Sequence, residues 1–196
     1  MNNRQANVTR ETKETKIAAQ VNLDGNGACK IDTGLPFLDH MLSAFSCHSR
    51  IDVTLDCKGD LHIDDHHTVE DCAIVLGEAV DKALGAERAG INRFGSAYAP
   101  LDEALARAVV DLSGRPNAVV NLDLSRSTIG ALACENISHF LESFAMRLRA
   151  AVHVDVIRGD NDHHKAEAAF KALALAMKHA VAISGTGTVP STKGTL

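Results

Sequence analysis

Two short stretches of the sequence decide the fold: DDHHTVE at residues 64–70 and NDHHKAE at residues 161–167. They share the pattern HHxxE and lie 97 residues apart. Each stretch opens a segment in which apolar residues recur with helical spacing. On a helix, positions i and i+4 lie about 40° apart on one face. The first histidine and the glutamate of each copy are therefore predicted to point in the same direction.

A histidine nitrogen and a carboxylate oxygen on one face provide half of a typical site for a divalent metal ion. The second histidine of each copy is turned by about 100° from the first, so it can serve a different ion. A single HHxxE near a helix start is commonly a polar surface feature, but its repetition after acidic residues favours metal binding. We predict two metal ions, each shared between the halves of the chain or between subunits. The predicted ligands from these two stretches are His66, His67, Glu70, His163, His164 and Glu167.

The chain around these stretches is an internal duplication. Residues 14–25 align without a gap on residues 103–114, and each copy shows strands, a helix, a strand and the HHxxE helix. A small sheet with helices packed on one face is the simplest way to bury such a unit. We predict an α+β fold with a first unit at residues 1–92 and a second at residues 93–196, which together form one compact domain. Whether the units meet through their helix layers or edge to edge is left open.

The predicted strands of the first unit begin with residues 8–23, which are extended and alternate between polar and apolar. The sequence DGNG at residues 24–27 predicts a hairpin turn, after which residues 28–31 form a short return strand. In the second unit the equivalent return strand is predicted at residues 117–124.

Two further histidines occupy equivalent places on the helices that precede each HHxxE. His40 begins HMLSAF and His139 begins HFLESF. Because an isolated histidine recurs in both units, we include both as ligands, so that six histidines and two glutamates supply four ligands to each of two ions. Such nitrogen and carboxylate sites suit manganese, iron, cobalt or zinc. His48 has no repeat partner and is a candidate for substrate contact.

Composition narrows the function classes. The chain has 196 residues, of which 45% are hydrophobic and 23% charged, which is typical of a globular protein. No apolar run approaches the length of a membrane span, and the first residues lack the apolar core of a secretory signal. A net charge of −5, one tyrosine and no tryptophan argue against nucleic-acid binding. Five scattered cysteines predict reduced thiols in a cytoplasmic protein.

Several basic or hydroxyl residues are candidates for binding an anion. They lie at the junction of the units, in the turn SGRP, one helical turn beyond the second HHxxE, and in the tail PSTKG. Each of them is equally compatible with an ordinary exposed side chain. The candidates are Arg93, Arg115, Lys171, Ser191 and Lys193.

The motifs together resemble those of the imidazoleglycerol-phosphate dehydratase family, which acts in histidine biosynthesis. The resemblance is carried by DLHIDDHHTVED (residues 60–71), DHHKAEAAFKA (162–172), GLPFLDHML (34–42), INRFG (91–95) and PSTKG (190–194). It covers nearly the whole chain from about residue 9, in order and with compatible spacing.

The resemblance implies a ribosomal S5 domain 2-like fold, two Mn²⁺ ions per active site and a shell of 24 subunits with sites between protomers. The implied reaction is loss of water from D-erythro-imidazole-glycerol phosphate to give imidazole-acetol phosphate. By motif, the eight histidines and glutamates named above take the ligand places, and the five anion candidates take substrate positions. Ala44 replaces the polar residue usual in the family, which puts one substrate contact in doubt.

Two other functions are compatible with the same motifs. A dinuclear metallohydrolase of a small phosphorylated substrate would use a bridging hydroxide and release inorganic phosphate. A metal-assembled shell or storage protein would catalyse no reaction.

The dehydration itself poses a chemical problem, because the hydrogen at C2 of the glycerol chain is not acidic. We predict that the imidazole ring bridges the two metals as imidazolate and expels the adjacent C3 hydroxyl, after which a carboxylate removes the C2 hydrogen. Glu14 is the candidate base, and its repeat partner Glu103 is the second candidate.

Overall fold

The computed structural model describes residues 4–194. It contains two units that follow one another along the chain. The elements of the first unit are β1 (Gln5–Glu11), β2 (Thr15–Asn22), β3 (Cys29–Asp32), α1 (Pro36–Ser49), β4 (Asp52–Gly59) and α2 (His66–Leu84). Those of the second are β5 (Phe94–Leu101), β6 (Ala104–Asp111), β7 (Asn117–Asn121), β8 (Thr128–Ile129), β9 (Leu132–Ala133), α3 (Cys134–Leu148), β10 (Ala151–Arg158) and α4 (Asp162–Val181).

Each unit has one four-stranded mixed sheet, with the order β1-β2-β4-β3 in the first and β5-β6-β10-β7 in the second. In both sheets the edge strand β3 or β7 runs parallel to its neighbour, while the other pairs are antiparallel. β2 and β6 cover equivalent residues of the two aligned segments. The predicted duplication and the α+β class are therefore confirmed. The short β8–β9 pair occurs in the second unit alone among the described residues.

The prediction of a hairpin at residues 24–27 is wrong. β3 does not return along β2, because β4 lies between them and β3 pairs in parallel with β4. The physical reason lies in Asp52, whose Oδ1 accepts the backbone N–H groups of Asn26, Gly27 and Ala28 at 2.9, 3.0 and 2.9 Å. These bonds tie the turn to the start of β4, so the turn is not closed by pairing of its own flanking strands.

The hairpin that does form joins β1 to β2 through residues 12–14, where the Thr12 N–H donates to the Thr15 carbonyl at 2.9 Å. The sequence Thr-Lys-Glu at this turn contains no glycine, asparagine or aspartate. The turn therefore could not be recognised within residues 8–23, which were predicted to be extended. The return strand predicted at residues 117–124 is corrected in the same way. β7 ends at Asn121 and runs parallel to β10.

The helices cover one face of each sheet, as predicted, and the two units meet helix layer to helix layer. On β2, the side chains of Ile17, Ala19 and Val21 are buried and alternate with polar ones, so one face of the sheet is apolar. α2 packs on β1 and β2 and against α3, while α4 packs on β5 and β6 and against α1. The core runs between the helix layers, where the rings of Phe45 and Phe144 meet edge to face at 5.9 Å. No helix within residues 4–194 has the length and apolar character needed to cross a bilayer.

The two HHxxE helices begin with the same local bond. The N–H of His66 donates to Asp64 Oδ1 at 2.9 Å, and the N–H of His163 donates to Asn161 Oδ1 at 2.9 Å. A side-chain oxygen that accepts a free N–H of the first turn stabilises the helix start. The acidic or amide residue two positions before each motif therefore places the first histidine in the first turn.

Gly95 on β5 allows a close approach of α4. A Cβ atom at this position would lie 1.9 Å from the Ala176 carbonyl oxygen, whereas the equivalent residue of the first unit is Ala6. We expect Gly95→Ala to lower the free energy of unfolding by about 1–3 kcal/mol, because the sheet and α4 must separate. Urea denaturation measures this, with the neighbouring exposed Ser96→Ala as control. Equal stability of the two variants would contradict the prediction.

Candidate metal centre

One cluster of ligating side chains, which we name the α1–α4 triad, consists of His40, His163 and Glu167. Glu167 Oε2 lies 3.0 Å from His40 Nε2 and 3.3 Å from His163 Nε2. His163 and Glu167 stand at i and i+4 on α4, while His40 comes from α1 of the other unit. The contact between α1 and α4 thus brings together residues that are more than a hundred positions apart in the sequence.

The second cluster, the α2–α3 triad, consists of His66, Glu70 and His139. The rings of His66 and His139 stack at 4.9 Å with an angle of 15°, and His139 Nε2 lies 3.4 Å from Glu70 Oε1. His66 and Glu70 stand at i and i+4 on α2, and His139 comes from α3 of the second unit. In each triad the HHxxE helix of one unit therefore meets the single histidine of the other.

The donor sets of both triads fit a divalent metal ion. In each triad, one ligand atom from each of the three side chains lies within 4.8 Å of the others. His139 Nε2 is buried and has no hydrogen-bond partner in the described part of the chain, and a buried polar atom of this kind calls for a partner. Two imidazole nitrogens and one carboxylate oxygen suit first-row divalent metals and leave coordination positions open.

The second histidines, His67 and His164, do not join the triads. His67 Nδ1 lies 3.1 Å from Asp60 Oδ2, and its Nε2 lies 3.8 Å from Glu14 Oε1. His164 Nδ1 lies 2.7 Å from Glu103 Oε2. The hydrogen bond to Asp60 raises the pKa of His67, and the hydrogen bond to Glu103 raises the pKa of His164.

The two candidate bases have different surroundings. Glu103 Oε1 accepts the N–H groups of Asn161 and Asp160 at 2.9 and 3.2 Å. The bond from Asn161 and the bond with His164 lower the pKa of Glu103 to about 2. Glu14 is half exposed, and within residues 4–194 its carboxylate lies near a single cationic partner, His67. Glu103 is thus engaged in holding the start of α4, whereas the Glu14 carboxylate accepts no hydrogen bond from the described residues.

Lys171 borders the α1–α4 triad, and His48 lies further along α1, the helix that provides His40. Lys171 Nζ lies 2.7 Å from Glu167 Oε1. Burial opposes ionisation of Glu167, but the hydrogen bonds from Lys171 and His40 outweigh it and lower its pKa to about 2. Partial burial and the positive charge of Lys171 lower the pKa of His48.

The remaining anion candidates lie apart from the triads. The Arg93 guanidinium pairs with Asp111 through bonds of 2.6 and 3.0 Å and donates to the Pro190 carbonyl at 2.8 Å, so it anchors the tail on the second sheet. Arg115 and Lys193 are exposed, and Ser191 is half-buried. No hydrogen bond or ion pair among residues 4–194 joins these four residues to either triad.

Sequence reasoning missed two side chains that contact the histidines. Asn136 Oδ1 lies 3.1 Å from His66 Nδ1, and Asp60 contacts His67. The internal duplication does not point to Asn136, because the equivalent residue of the first unit is Phe37. It does point to Asp60, since Lys58-Gly59-Asp60 recurs as Arg158-Gly159-Asp160.

Comparison with known proteins decides the family. A sequence model of the family described as imidazoleglycerol-phosphate dehydratase matches residues 33–177. The chain belongs to the imidazoleglycerol-phosphate dehydratase family. The dehydratase of Chlorobium luteolum is 58% identical over 98% of this chain and 96% of its own length. That of Saccharomyces cerevisiae is 50% identical over the full length of both.

Other members of the dehydratase family give the same result. The relative from Phytophthora nicotianae is 59% identical over 98% of this chain, which spans 42% of that relative's length. The crystal structure of the Staphylococcus aureus dehydratase has a TM-score of 0.82 and 34% identity and covers 91% of this chain and 99% of that one. The Pyrococcus furiosus dehydratase, solved in complex with (S)-C348, has a TM-score of 0.81 and 37% identity, with coverage of 96% and 100%.

Proposed function

We propose that the two triads form the centre of an active site that removes water from imidazoleglycerol phosphate, a hydro-lyase reaction of histidine biosynthesis. Family membership supports this reaction over hydrolysis of a phosphate ester and over a storage role. The observation that carries the proposal is the pairing of two similar His₂Glu clusters in one chain. An imidazole ring has two nitrogens, and two metal ions offer each nitrogen a ligand position.

The residues that would hold the ions are the six members of the triads. Each triad provides three protein ligands, so each ion would keep positions for the substrate and for a further ligand. When bound, the ions would lower the pKa of the substrate imidazole and favour its anionic form. Manganese as the ion and a cytoplasmic location remain predictions.

We assign the remaining ligand places to His67 and His164, whose rings point away from the triads of their own chain. Their hydrogen bonds with Asp60 and Glu103 engage Nδ1. Nε2 of each ring forms no hydrogen bond among the described residues, which leaves it available to a metal ion. We propose that this nitrogen binds a metal ion held by a triad of a neighbouring subunit. This arrangement supports metal-linked assembly of identical chains, for which we keep the prediction of 24 subunits.

Glu14 is the proposed base, and its task is to take the hydrogen from C2 after the C3 hydroxyl has left as water together with the proton that the imidazole ring gives up. The electron pair of the broken C–H bond then forms the enol, which becomes the ketone of imidazole-acetol phosphate. The half-exposed carboxylate lies 3.8 Å from His67 and is otherwise open to a ligand. A general base must reach the proton that it removes, and the position of this carboxylate beside the proposed ligand His67 supports the role.

The substrate phosphate is assigned to Arg115, Ser191 and Lys193, with Lys171 and His48 beside the reacting end and Arg93 anchoring the tail. A phosphate dianion binds convergent charged donors, among which arginine offers two parallel bonds. Ser191 and Lys193 lie in the tail that Arg93 attaches through Pro190.

One assay tests the proposed function. The protein is freed of metal, loaded with Mn²⁺ and incubated with imidazoleglycerol phosphate. We expect an enolisable ketone to form at the rate at which substrate disappears, with no inorganic phosphate. Release of phosphate would instead identify a hydrolase, and absence of turnover with full metal loading would favour a shell protein.

Arg115→Ala is expected to raise KM by about 10–100-fold while metal content stays unchanged, because it removes one charged donor to the phosphate. Steady-state kinetics and metal analysis measure both quantities. Lys30→Ala, which removes an exposed cation on β3, is the control and should leave KM unchanged. Unaltered kinetics in both Arg115→Ala and Lys193→Ala would contradict the assignment.

Removal of metal is expected to reduce the size of the assembly, because an ion that bridges chains adds its binding free energy to association. Sedimentation velocity after chelation should show smaller species, and Mn²⁺ should restore the large one. Acidification below about pH 6 should act like chelation, since protons compete for the ligand nitrogens. The hydrogen bonds with Asp60 and Glu103 raise the pKa of His67 and of His164, so both take up protons at a higher pH than an ordinary imidazole does. A chelated sample that keeps its full mass would argue against metal bridges.

A further inference from the structure

The two triads have the same ligands but different neighbours at equivalent positions of the repeat. Asn136 on α3 takes the place of Phe37 on α1, and Lys171 on α4 takes the place of Ile74 on α2. We infer that these two exchanges make the metal sites unequal, so that the α2–α3 triad binds a divalent ion more tightly and fills first. The inference rests on the proposed function only in treating the triads as metal sites.

Asn136 positions His66 for metal binding. Its side chain is buried, with 4% exposed, and its Oδ1 lies 3.1 Å from His66 Nδ1. An imidazole that binds a metal through Nε2 carries its hydrogen on Nδ1, and an acceptor at Nδ1 selects that tautomer and makes Nε2 more basic. The Asn136 amide oxygen is such an acceptor, so His66 is held in its binding form before the ion arrives.

His163 lacks this support. The ring of Phe37 meets the His163 ring edge to face at 5.0 Å, which restricts the ring without accepting a hydrogen bond. Within the described range, no hydrogen bond is formed by His163 Nδ1, while Nε2 lies against Glu167. In the metal-free protein the contact with Glu167 favours the His163 tautomer that carries its hydrogen on Nε2. Part of the binding free energy of an ion must therefore be used to move that hydrogen to Nδ1.

Lys171 weakens the attraction of the α1–α4 triad for a cation. Its ammonium group lies 2.7 Å from Glu167 Oε1, and both side chains are largely buried, with 19% and 12% exposed. At short range in a partly buried site, a lysine charge repels an incoming divalent ion and competes with it for the carboxylate.

Glu70 has no such competitor. Its ion-pair partner in the described part of the chain is His139, and the position one turn further along α2 is the apolar Ile74. Arg147 lines the same open depression as Glu70 and His139, but it makes no ion pair with Glu70 within 4.0 Å among residues 4–194. No lysine or arginine within 4.0 Å in the described part of the chain therefore offsets the charge of the Glu70 carboxylate.

The metal-free states of the histidines act in the same direction. His139 Nε2 is buried and lies 3.4 Å from Glu70 Oε1 without forming a hydrogen bond among the described residues, so an ion that binds there supplies the polar contact that this atom lacks. His40 Nε2 already has Glu167 Oε2 at 3.0 Å, and this contact must be given up when an ion enters. An ion that binds at the α2–α3 triad therefore displaces a weaker contact than an ion that binds at the α1–α4 triad.

The first experiment follows Mn²⁺ binding to the full-length, metal-free protein by the spin-resonance signal of free Mn²⁺ and by calorimetry. We expect two steps of one ion per chain each, with dissociation constants that differ by at least about tenfold. Crystals grown with one equivalent of Mn²⁺ should show anomalous density mainly at His66, Glu70 and His139. Equal density at both triads, or preference for the α1–α4 triad, would overturn the inference.

Two variants test the cause of the difference. Asn136→Leu should weaken the tighter step by about 10–100-fold, and Lys171→Ile, which installs the residue of the other unit, should tighten the weaker step by at least about tenfold. Glu135→Gln, an exposed neighbour of Asn136 on α3, is the control and should leave both steps unchanged. If Asn136→Leu fails to fold, Lys171→Ile alone decides. An unchanged second step in Lys171→Ile would contradict the role of Lys171.

These measurements do not depend on turnover. A protein that fills its triads in order but leaves imidazoleglycerol phosphate unchanged would refute the proposed function and support the inference. A protein that dehydrates the substrate but binds metal equally at both triads would support the proposed function and refute the inference.

Discussion

Glu14→Gln lowers kcat by at least ~100-fold, with little change in metal content, if Glu14 is the base. Glutamine keeps the shape and the hydrogen-bonding capacity of the side chain but cannot accept a proton from C2. Steady-state kinetics with imidazoleglycerol phosphate and metal analysis of the same preparation measure the two quantities. Loss of deuterium from C2-labelled substrate should slow by the same factor, because that bond is broken by the base.

The repeat provides a matched control in Glu103→Gln. Glu103 accepts hydrogen bonds from the start of α4, and an amide oxygen can still accept those from Asn161 and Asp160. We expect kcat to fall by less than about tenfold and His164 to lose its charged partner. A Glu14→Gln enzyme that retains most of its kcat would move the base role elsewhere, and Glu103 would be examined first.

Glu70→Ala is expected to remove one metal ion per chain and to lower kcat by roughly 10³-fold. The carboxylate is one of three ligands that the chain supplies to the α2–α3 triad. A bound ion contributes several kcal/mol to charge stabilisation, and each 1.4 kcal/mol corresponds to about tenfold in rate. Equilibrium dialysis with metal analysis and kinetic assays check both expectations.

Glu78→Ala is the control on the same helix, because this exposed glutamate pairs with Lys82 at the surface. Its removal should change the stability by less than about 1 kcal/mol and leave metal content and kcat unaltered. Full metal content and normal turnover in Glu70→Ala would show that the triad is not a metal site.

Only part of the site could be predicted from the amino-acid sequence, because some of its features depend on the surroundings of the side chains. The i, i+4 spacing and the duplication point to His66 with Glu70 and to His163 with Glu167, since helix geometry is local. The roles of the two candidate bases could not be separated in this way. Glu14 and Glu103 are equivalent in the repeat, and their difference arises from the backbone N–H groups that converge on Glu103.

The amino-acid sequence by itself determined the two units, the α+β class, the family and the side chains that share a helix face. These follow from periodicity, repetition and motif spacing, which involve short stretches of chain. The tertiary structure alone decided that the units meet through their helices, so that His40 joins α4 and His139 joins α2. It also decided that β3 lies parallel to β4 and that Asn136 contacts His66. Such contacts join distant segments, and their geometry depends on how whole layers pack, which no local pattern encodes.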